Sequence, residues 1–370
     1  MIFHSTYNKP ILLVGNGLRN ANANELLYEF AHKTNIPVLT SMNGVDLAQD
    51  DIHIGFIGTH GNRIANMVLN ECDLIISIGA RLGIRQVGKF KDRFAPKAHL
   101  IRCDIDENEL SRTIKEDEEK YQMDAKTFLM LLINENIGDY SIWKNKVLSA
   151  KSLLEKYDRN YGNLVIEKIS SLLPINPIVA VDVGRNQGWS AQSFHLQGQN
   201  GRILLSGGYG TMGCGLPFAI GASIANNKQN VYCISGDGGF QMNIQEMETL
   251  HRENLPIKIF ILNNKVLGKI SETQHKNHND RFANTAKDGG YTVPNFVSIA
   301  KAYGIRAYNI IDFNDLDNYI NIISDNSSCL FNIDMPENSI LEPKIRFETS
   351  TVEPRIDDDM FHKAMDILKS

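Results

Sequence analysis

Short apolar runs alternate along this chain with longer stretches whose apolar residues recur at helical spacing, and polar or Gly-bearing turns separate the two. In the N-terminal third, Ile11–Val14, Pro37–Thr40, Leu74–Ile78 and Leu100–Cys103 read as strands covered on both faces. Ala23–Lys33, with Leu26, Leu27, Phe30 and Ala31 on one face, and Arg63–Asn70 read as helices between them. A Gly-rich loop through Gly55, Gly58 and Gly61 precedes the second of these helices. From about Glu109 to Asn160 the strand signal gives way to polar, helix-like sequence that includes Lys115–Tyr121. A second alternating set follows, with strands at Ile178–Val181, Val231–Ile234, Ile257–Leu262, Ala307–Ile311 and Cys329–Ile333 and helices at Gly215–Asn226 and Asn243–Asn254.

This order predicts an α/β protein with two doubly wound parallel-sheet domains in tandem. The boundaries it suggests are a first domain over 1–135, a helical linker over 136–160 and a second domain over 161–370. In such sheets ligands bind where strands end at their carboxyl side. Candidate chemistry is therefore sought in those loops.

Composition narrows the classes. The 370 residues are 42% hydrophobic and 22% charged, ordinary for a globular protein large enough for two cores. Lys plus Arg number 38 against 43 Asp plus Glu, a formal net charge of −5, so no basic field attracts nucleic acid or an anionic membrane. No apolar run approaches the roughly 20 residues of a membrane-spanning helix, and the N-terminus shows no signal-peptide core. The expectation is a cytoplasmic protein. The 5 cysteines form no CxxC pair and their number is odd, which points to neither a disulfide framework nor a zinc site.

The strand at Val231–Ile234 runs into Ser235-Gly236-Asp237-Gly238-Gly239-Phe240, and one helix and one strand later comes Asn263-Asn264. A right-handed crossover returns the chain to the same sheet, so Asp237 and Asn264 can meet in space. A carboxylate and an amide oxygen suit Mg²⁺, which takes its remaining oxygens from water and phosphates. Backbone N–H groups at Gly238 and Gly239 suit phosphate oxygens, and the carbonyl of Val266 is a further candidate metal ligand. A tight strand-to-helix turn beside an unrelated Asn-Asn loop would read the same way on spacing alone.

Three segments in order separate these readings. Gly236-Asp237-Gly238 followed by Asn263-Asn264 resembles the thiamine-diphosphate signature. Ser206-Gly207-Gly208-Tyr209-Gly210-Thr211-Met212-Gly213-Cys214-Gly215-Leu216-Pro217 is similar to the SGGxGTMGxGLP segment of acetolactate synthase large subunits, and Asp182-Val183-Gly184-Arg185-Asn186-Gln187-Gly188-Trp189 resembles their DVGxxQxW segment. The resemblance implies that Asp237, Asn264 and the Val266 carbonyl hold Mg²⁺, and that Gly184, Arg185, Asn186, Gly210, Gly236, Gly238 and Gly239 lie around the cofactor and its diphosphate. It places Met212 beneath the cofactor, where an apolar wedge fixes a bent conformer in advance of substrate. Spacing by itself would make Met212 an ordinary core methionine.

The resemblance extends backwards. Val14-Gly15-Asn16-Gly17, Ile36-Pro37-Val38, Gly55 to Gly61, Ile78-Gly79-Ala80-Arg81, Phe94-Ala95-Pro96 and Asp104-Ile105-Asp106 have counterparts in the middle domain of acetolactate synthases, which carries FAD. The family's GARFDDRVTG run appears here as Gly79-Ala80-Arg81-Leu82-Gly83-Ile84-Arg85-Gln86-Val87-Gly88, without the paired aspartates, so FAD stays open. On the residues alone, Gly15 and Gly17 are a structural turn and His60 a loop residue rather than a general base.

Two departures bear on function. Where the family carries Gly-Met-Val-x-Gln-Trp, this chain has Gly268-Lys269-Ile270-Ser271-Glu272-Thr273, which suggests a more polar or anionic acceptor with Lys269 as its partner. A solvated Lys269 is the bland alternative. The family's pyrimidine-binding domain, which supplies a glutamate to the cofactor ring, has no counterpart ahead of Ile11, so the expectation is that a longer chain or a separate polypeptide provides it. The implied function is thiamine-diphosphate-dependent decarboxylation of a 2-keto acid with carboligation to an acceptor, in a homodimer or tetramer. Simple 2-keto acid decarboxylation and a non-catalytic cofactor-binding or assembly subunit are the rivals.

Overall fold

The computed structural model describes residues 7–49, 51–345 and 352–370. The first sheet is built from β1 (Pro10–Val14), β2 (Val38–Thr40), β3 (His53–Phe56), β4 (Leu74–Ile78), β5 (His99–Asp104) and β6 (Glu119–Gln122). Its six strands run in the order β3-β2-β1-β4-β5-β6, with every pairing parallel. The second sheet contains β7 (Ile178–Val181), β8 (Arg202–Leu205), β9 (Val231–Gly236), β10 (Ile257–Asn263), β11 (Arg306–Ile310) and β12 (Cys329–Asp334). It is also six-stranded and parallel, in the order β11-β12-β10-β9-β7-β8. Helices cover both sheets, so central strands such as β1, β4 and β10 are buried throughout, and their sequences are near-continuous apolar runs. The expected α/β class and doubly wound order are what the structure shows.

In the two six-stranded sheets, three strands lack the apolar pattern, and all three lie at sheet edges. β6 (Glu-Lys-Tyr-Gln) is exposed at alternate positions, which is why Lys115–Tyr121 reads as polar and helix-like. β3 is interrupted by His53 and Gly55, and β8 begins on Arg202 and is largely half-buried. An edge strand has less of its surface covered and so needs fewer apolar residues. The single helix expected over Asn243–Asn254 is instead a 3₁₀ turn at Ile244–Glu246 followed by a helix over Met247–Glu253.

The compact units differ from the expected boundaries. One takes the chain through Arg159 and again from Glu342, and the other runs from Asn160 to Leu341. Two amphipathic helices account for the difference. The expected linker contains the helix Ser141–Leu154, which buries Trp143, Val147, Ala150 and Leu154 in the first unit's core. The C-terminal helix Asp358–Lys369, expected in the second domain, buries Ala364 and Leu368 in that same core. Lys9 Nζ donates to the carbonyls of Leu368 at 2.6 Å and Lys369 at 3.0 Å, closing the helix's carboxyl end. Among the described residues no helix is long and apolar enough to cross a membrane.

Candidate active site

The second sheet reverses direction at β7. From β7 the chain moves outward to β8, then returns to the other side of β7 to form β9. The loops leaving β7 and β9 therefore diverge and open a crevice at their carboxyl ends, the usual place for a ligand in this architecture. β10 pairs with β9 in a register that sets Leu262 opposite Gly236. The next residues on each strand, Asn263-Asn264 and Asp237, accordingly emerge side by side.

Asp237 is buried, and both its oxygens are engaged. Oδ2 accepts the Lys265 backbone N–H at 2.7 Å, and Oδ1 accepts the Tyr291 hydroxyl at 2.8 Å. Burial pushes its carboxyl above the usual range, against the lowering effect of the Tyr291 bond and the backbone bonds. Lys265, two residues past β10, adopts φ +58, a left-handed turn that is costly for a non-glycine residue. Past this turn the Val266 carbonyl faces back toward Asn264.

The Asn264 side-chain oxygen points at two other acceptors, Asp237 Oδ2 at 3.2 Å and the Val266 carbonyl at 3.0 Å. Turned over, the amide donates its NH₂ to both and closes the site with hydrogen bonds. With its oxygen inward, these spacings match adjacent ligands of an octahedral Mg²⁺, about 2.9 Å apart for bonds of about 2.0–2.1 Å. The donor chemistry of Asp237, Asn264 and Val266 thus fits a hard divalent cation. Among the described residues no group of three or more His, Cys, Asp or Glu side chains is placed to hold a metal, so this mixed oxygen set is the metal candidate.

The flanking glycines are required by close packing. A Cβ on Gly239 would stand 2.7 Å from Asp182 Oδ2, and one on Gly238 would stand 2.3 Å from Leu267 Cδ2 and 3.2 Å from Met212 Cε. Met212 therefore reaches the Gly238 turn while remaining 39% exposed, as a residue at a site mouth rather than in a core. Gly210, at φ +65, turns the same loop, whose Tyr209 is 98% exposed. On the β7 side Gly184 sits at φ +130, accessible essentially to glycine alone. Asn186 donates to the Asp182 carbonyl at 2.7 Å, and its Oδ1 lies 3.4 Å from where a Cβ on Gly236 would be.

Asp182 opens the segment that resembles DVGxxQxW, and its place in that motif alone gives it no site role. Its Oδ1 accepts backbone N–H bonds from Val183 at 2.7 Å and Gly213 at 2.9 Å, and its Oδ2 accepts the Ser235 hydroxyl at 3.1 Å. One buried carboxylate thus ties the β7 loop, the Met212 loop and the end of β9 together. Burial raises its pKa against the pull of those bonds.

Arg185 turns toward a different element. Its Nε donates to Glu272 at 2.9 Å and its Nη1 to the Ser339 carbonyl at 2.6 Å, while its guanidinium packs where a side chain on Gly268 would be. Glu272 also accepts Lys269 Nζ at 2.9 Å, so the helix Gly268–Asn277 places both cations on one carboxylate. Burial raises the Glu272 carboxyl, but Lys269 and Arg185 outweigh it and leave it below its usual range.

In the first unit the glycines after β1 are filled by backbone rather than left open. A Cβ on Gly15 would stand 2.4 Å from Ala80 Cα, and one on Gly17 would stand 2.7 Å from Gly79 Cα.

Two family models match the chain. The thiamine pyrophosphate enzyme central domain covers residues 5–132, and the C-terminal TPP binding domain of the same enzymes covers 182–331, including every residue of the site above except Ser339. The chain belongs to the thiamine pyrophosphate enzyme family. It is 35% identical over 310 residues to the acetolactate synthase isozyme 2 large subunit of Escherichia coli (strain K12), covering 82% of this chain and 55% of that protein. It is 36% identical over 326 residues to the acetolactate synthase large subunit of Cyanidium caldarium, covering 84% and 55%. It is 35% identical over 321 residues to the probable acetolactate synthase large subunit of Methanocaldococcus jannaschii, covering 82% and 53%. This thiamine pyrophosphate family member therefore spans about half the length of the curated relatives it matches.

Proposed function

We propose that the chain provides the metal and diphosphate half of a thiamine-diphosphate-dependent enzyme, acetolactate-synthase-like, that decarboxylates a 2-keto acid and ligates the product to an acceptor carbonyl. The observation that carries this reading is the convergence of Asp237, Asn264 and the Val266 carbonyl beside the β7/β9 crevice. Those three groups would hold Mg²⁺, and Gly184, Asn186, Gly236, Gly238 and Gly239 would border the diphosphate. When bound, thiamine diphosphate supplies a nucleophilic carbon and the electron sink for loss of CO₂. Met212 borders the mouth where the cofactor would lie. Asp182 keeps the loops on either side of that mouth in register. Arg185 contributes by anchoring the β7 loop to the helix Gly268–Asn277 through Glu272.

Lys269 stands on that helix beside the acceptor's path in this reading, with Glu272 as its resting partner. An acceptor carboxylate would compete with Glu272 for it, which favours anionic over neutral 2-keto acids. The site is completed by a pyrimidine-binding domain, from a longer chain or a second polypeptide, within a homodimer or tetramer. No step is assigned to flavin, because backbone contacts account for Gly15 and Gly17 without a ligand. An absorbance spectrum of the purified protein, read for flavin bands, checks FAD occupancy.

The test is product analysis with pyruvate, alone and with a second 2-keto acid, on the chain combined with a pyrimidine-binding partner domain. The reading expects CO₂ release and a hydroxy-keto acid product. CO₂ with protonated product alone would favour simple decarboxylation, and no turnover with any partner would favour a binding subunit.

A further inference from the structure

We propose that Tyr291 is a positioning residue for the metal half of this site, holding Asp237 by the oxygen that faces away from Asn264. The inference rests on the cofactor reading above and adds to it a residue outside the three matched motifs.

Tyr291 lies 54 residues beyond Asp237 in sequence, yet its hydroxyl is 2.8 Å from Asp237 Oδ1. A carboxylate only accepts, so the phenol must donate.

The two oxygens of Asp237 thereby acquire separate duties. Oδ2 faces Asn264 and takes the Lys265 N–H, whereas Oδ1 is occupied by the phenol. With both oxygens bonded, rotation of the carboxylate about its Cβ–Cγ bond is blocked, and Oδ2 stays directed at Asn264. Partners of this kind, bonded to a metal ligand rather than to the metal, typically change metal affinity 10–100-fold when removed.

The segment that carries Tyr291 is itself pinned close to the site. The Leu267 N–H donates to the Thr285 carbonyl at 2.8 Å, the Thr285 hydroxyl donates to Gln274 at 2.5 Å, and the Tyr291 N–H donates to the Ala286 carbonyl at 3.0 Å. The phenol also closes over the Gly238 turn, 3.0 Å from where a Cβ on that residue would be. Tyr291 is thus delivered to Asp237 by a bonded loop and does not meet it as a loose surface residue.

The test is a Mn²⁺ titration of the full chain with thiamine diphosphate present, read by calorimetry, alongside the thermal midpoint of each variant without metal. Tyr291→Phe keeps the ring and removes the donor. It is expected to raise the Mn²⁺ Kd about tenfold while leaving the metal-free midpoint close to that of the unmodified chain. Tyr291→Leu, which removes ring and donor together, is expected to raise Kd at least as much, and it carries the test if Tyr291→Phe does not fold. Unchanged Mn²⁺ affinity in both variants would overturn the inference while leaving the cofactor reading intact. Failure of the unmodified chain to bind Mn²⁺ with thiamine diphosphate would overturn both.

Discussion

Asp182 and Ser235 meet across the carboxyl ends of β7 and β9, with the serine hydroxyl 3.1 Å from the buried carboxylate. The same carboxylate takes the Gly213 N–H from the Met212 loop, so its removal would strand donors from two other segments. Asp182→Ala is expected to lower unfolding free energy by about 3 kcal/mol, the scale of several buried donors left unpaired. Urea denaturation followed by tryptophan fluorescence checks it.

The raised pKa of Asp182 has a signed consequence. Because the folded state holds this proton to higher pH than the unfolded chain, the unfolded state binds fewer protons above about pH 4. The contribution of Asp182 to stability is therefore greatest below that pH and falls as pH rises through its raised folded value. Asp182→Asn cannot titrate and should lack this decline. Denaturation of the two proteins from pH 4 to 7 compares the slopes, and parallel curves would refute the assignment.

Lys269 and Glu272 form a half-exposed pair, and such pairs contribute at most about 1 kcal/mol. Lys269→Met is thus expected to change stability little. In competition between an acidic and a neutral 2-keto acid acceptor it should shift the product ratio toward the neutral one, and Glu272→Gln should shift it the other way. Ratios unchanged in both variants would leave Lys269 without a role in acceptor choice.

Leu368, fully buried in the core of the first unit, tests where the C-terminal helix belongs. Leu368→Ala should cost about 2–4 kcal/mol, the usual range for a buried leucine. Hydrogen exchange should then rise in β1 and in the helix Ser141–Leu154. Loss of protection confined to the second sheet would contradict the packing.

The meeting of Asp237 and Asn264 was legible because each lies one residue past a strand in a βαβ unit, where parallel register brings strand ends together. Tyr291 was not, because the loop that delivers it carries no periodic pattern and its partner is distant in sequence. The orientation of Arg185 was hidden for a related reason: a glycine-rich loop motif says nothing about Glu272, which lies on another element. The edge strands β3, β6 and β8 lacked the apolar runs that mark strands covered on both faces. The amphipathic C-terminal helix follows from its own spacing, but no local feature states which core receives it.

Binding of thiamine diphosphate to the full chain, with and without Mg²⁺, tests the central claim most directly. The thermal midpoint should rise with millimolar cofactor when Mg²⁺ is present, as ligand binding to the folded state requires, and the rise should vanish with EDTA or in Asp237→Ala. A midpoint indifferent to Mg²⁺ and cofactor, or a rise that persists in Asp237→Ala, would contradict it.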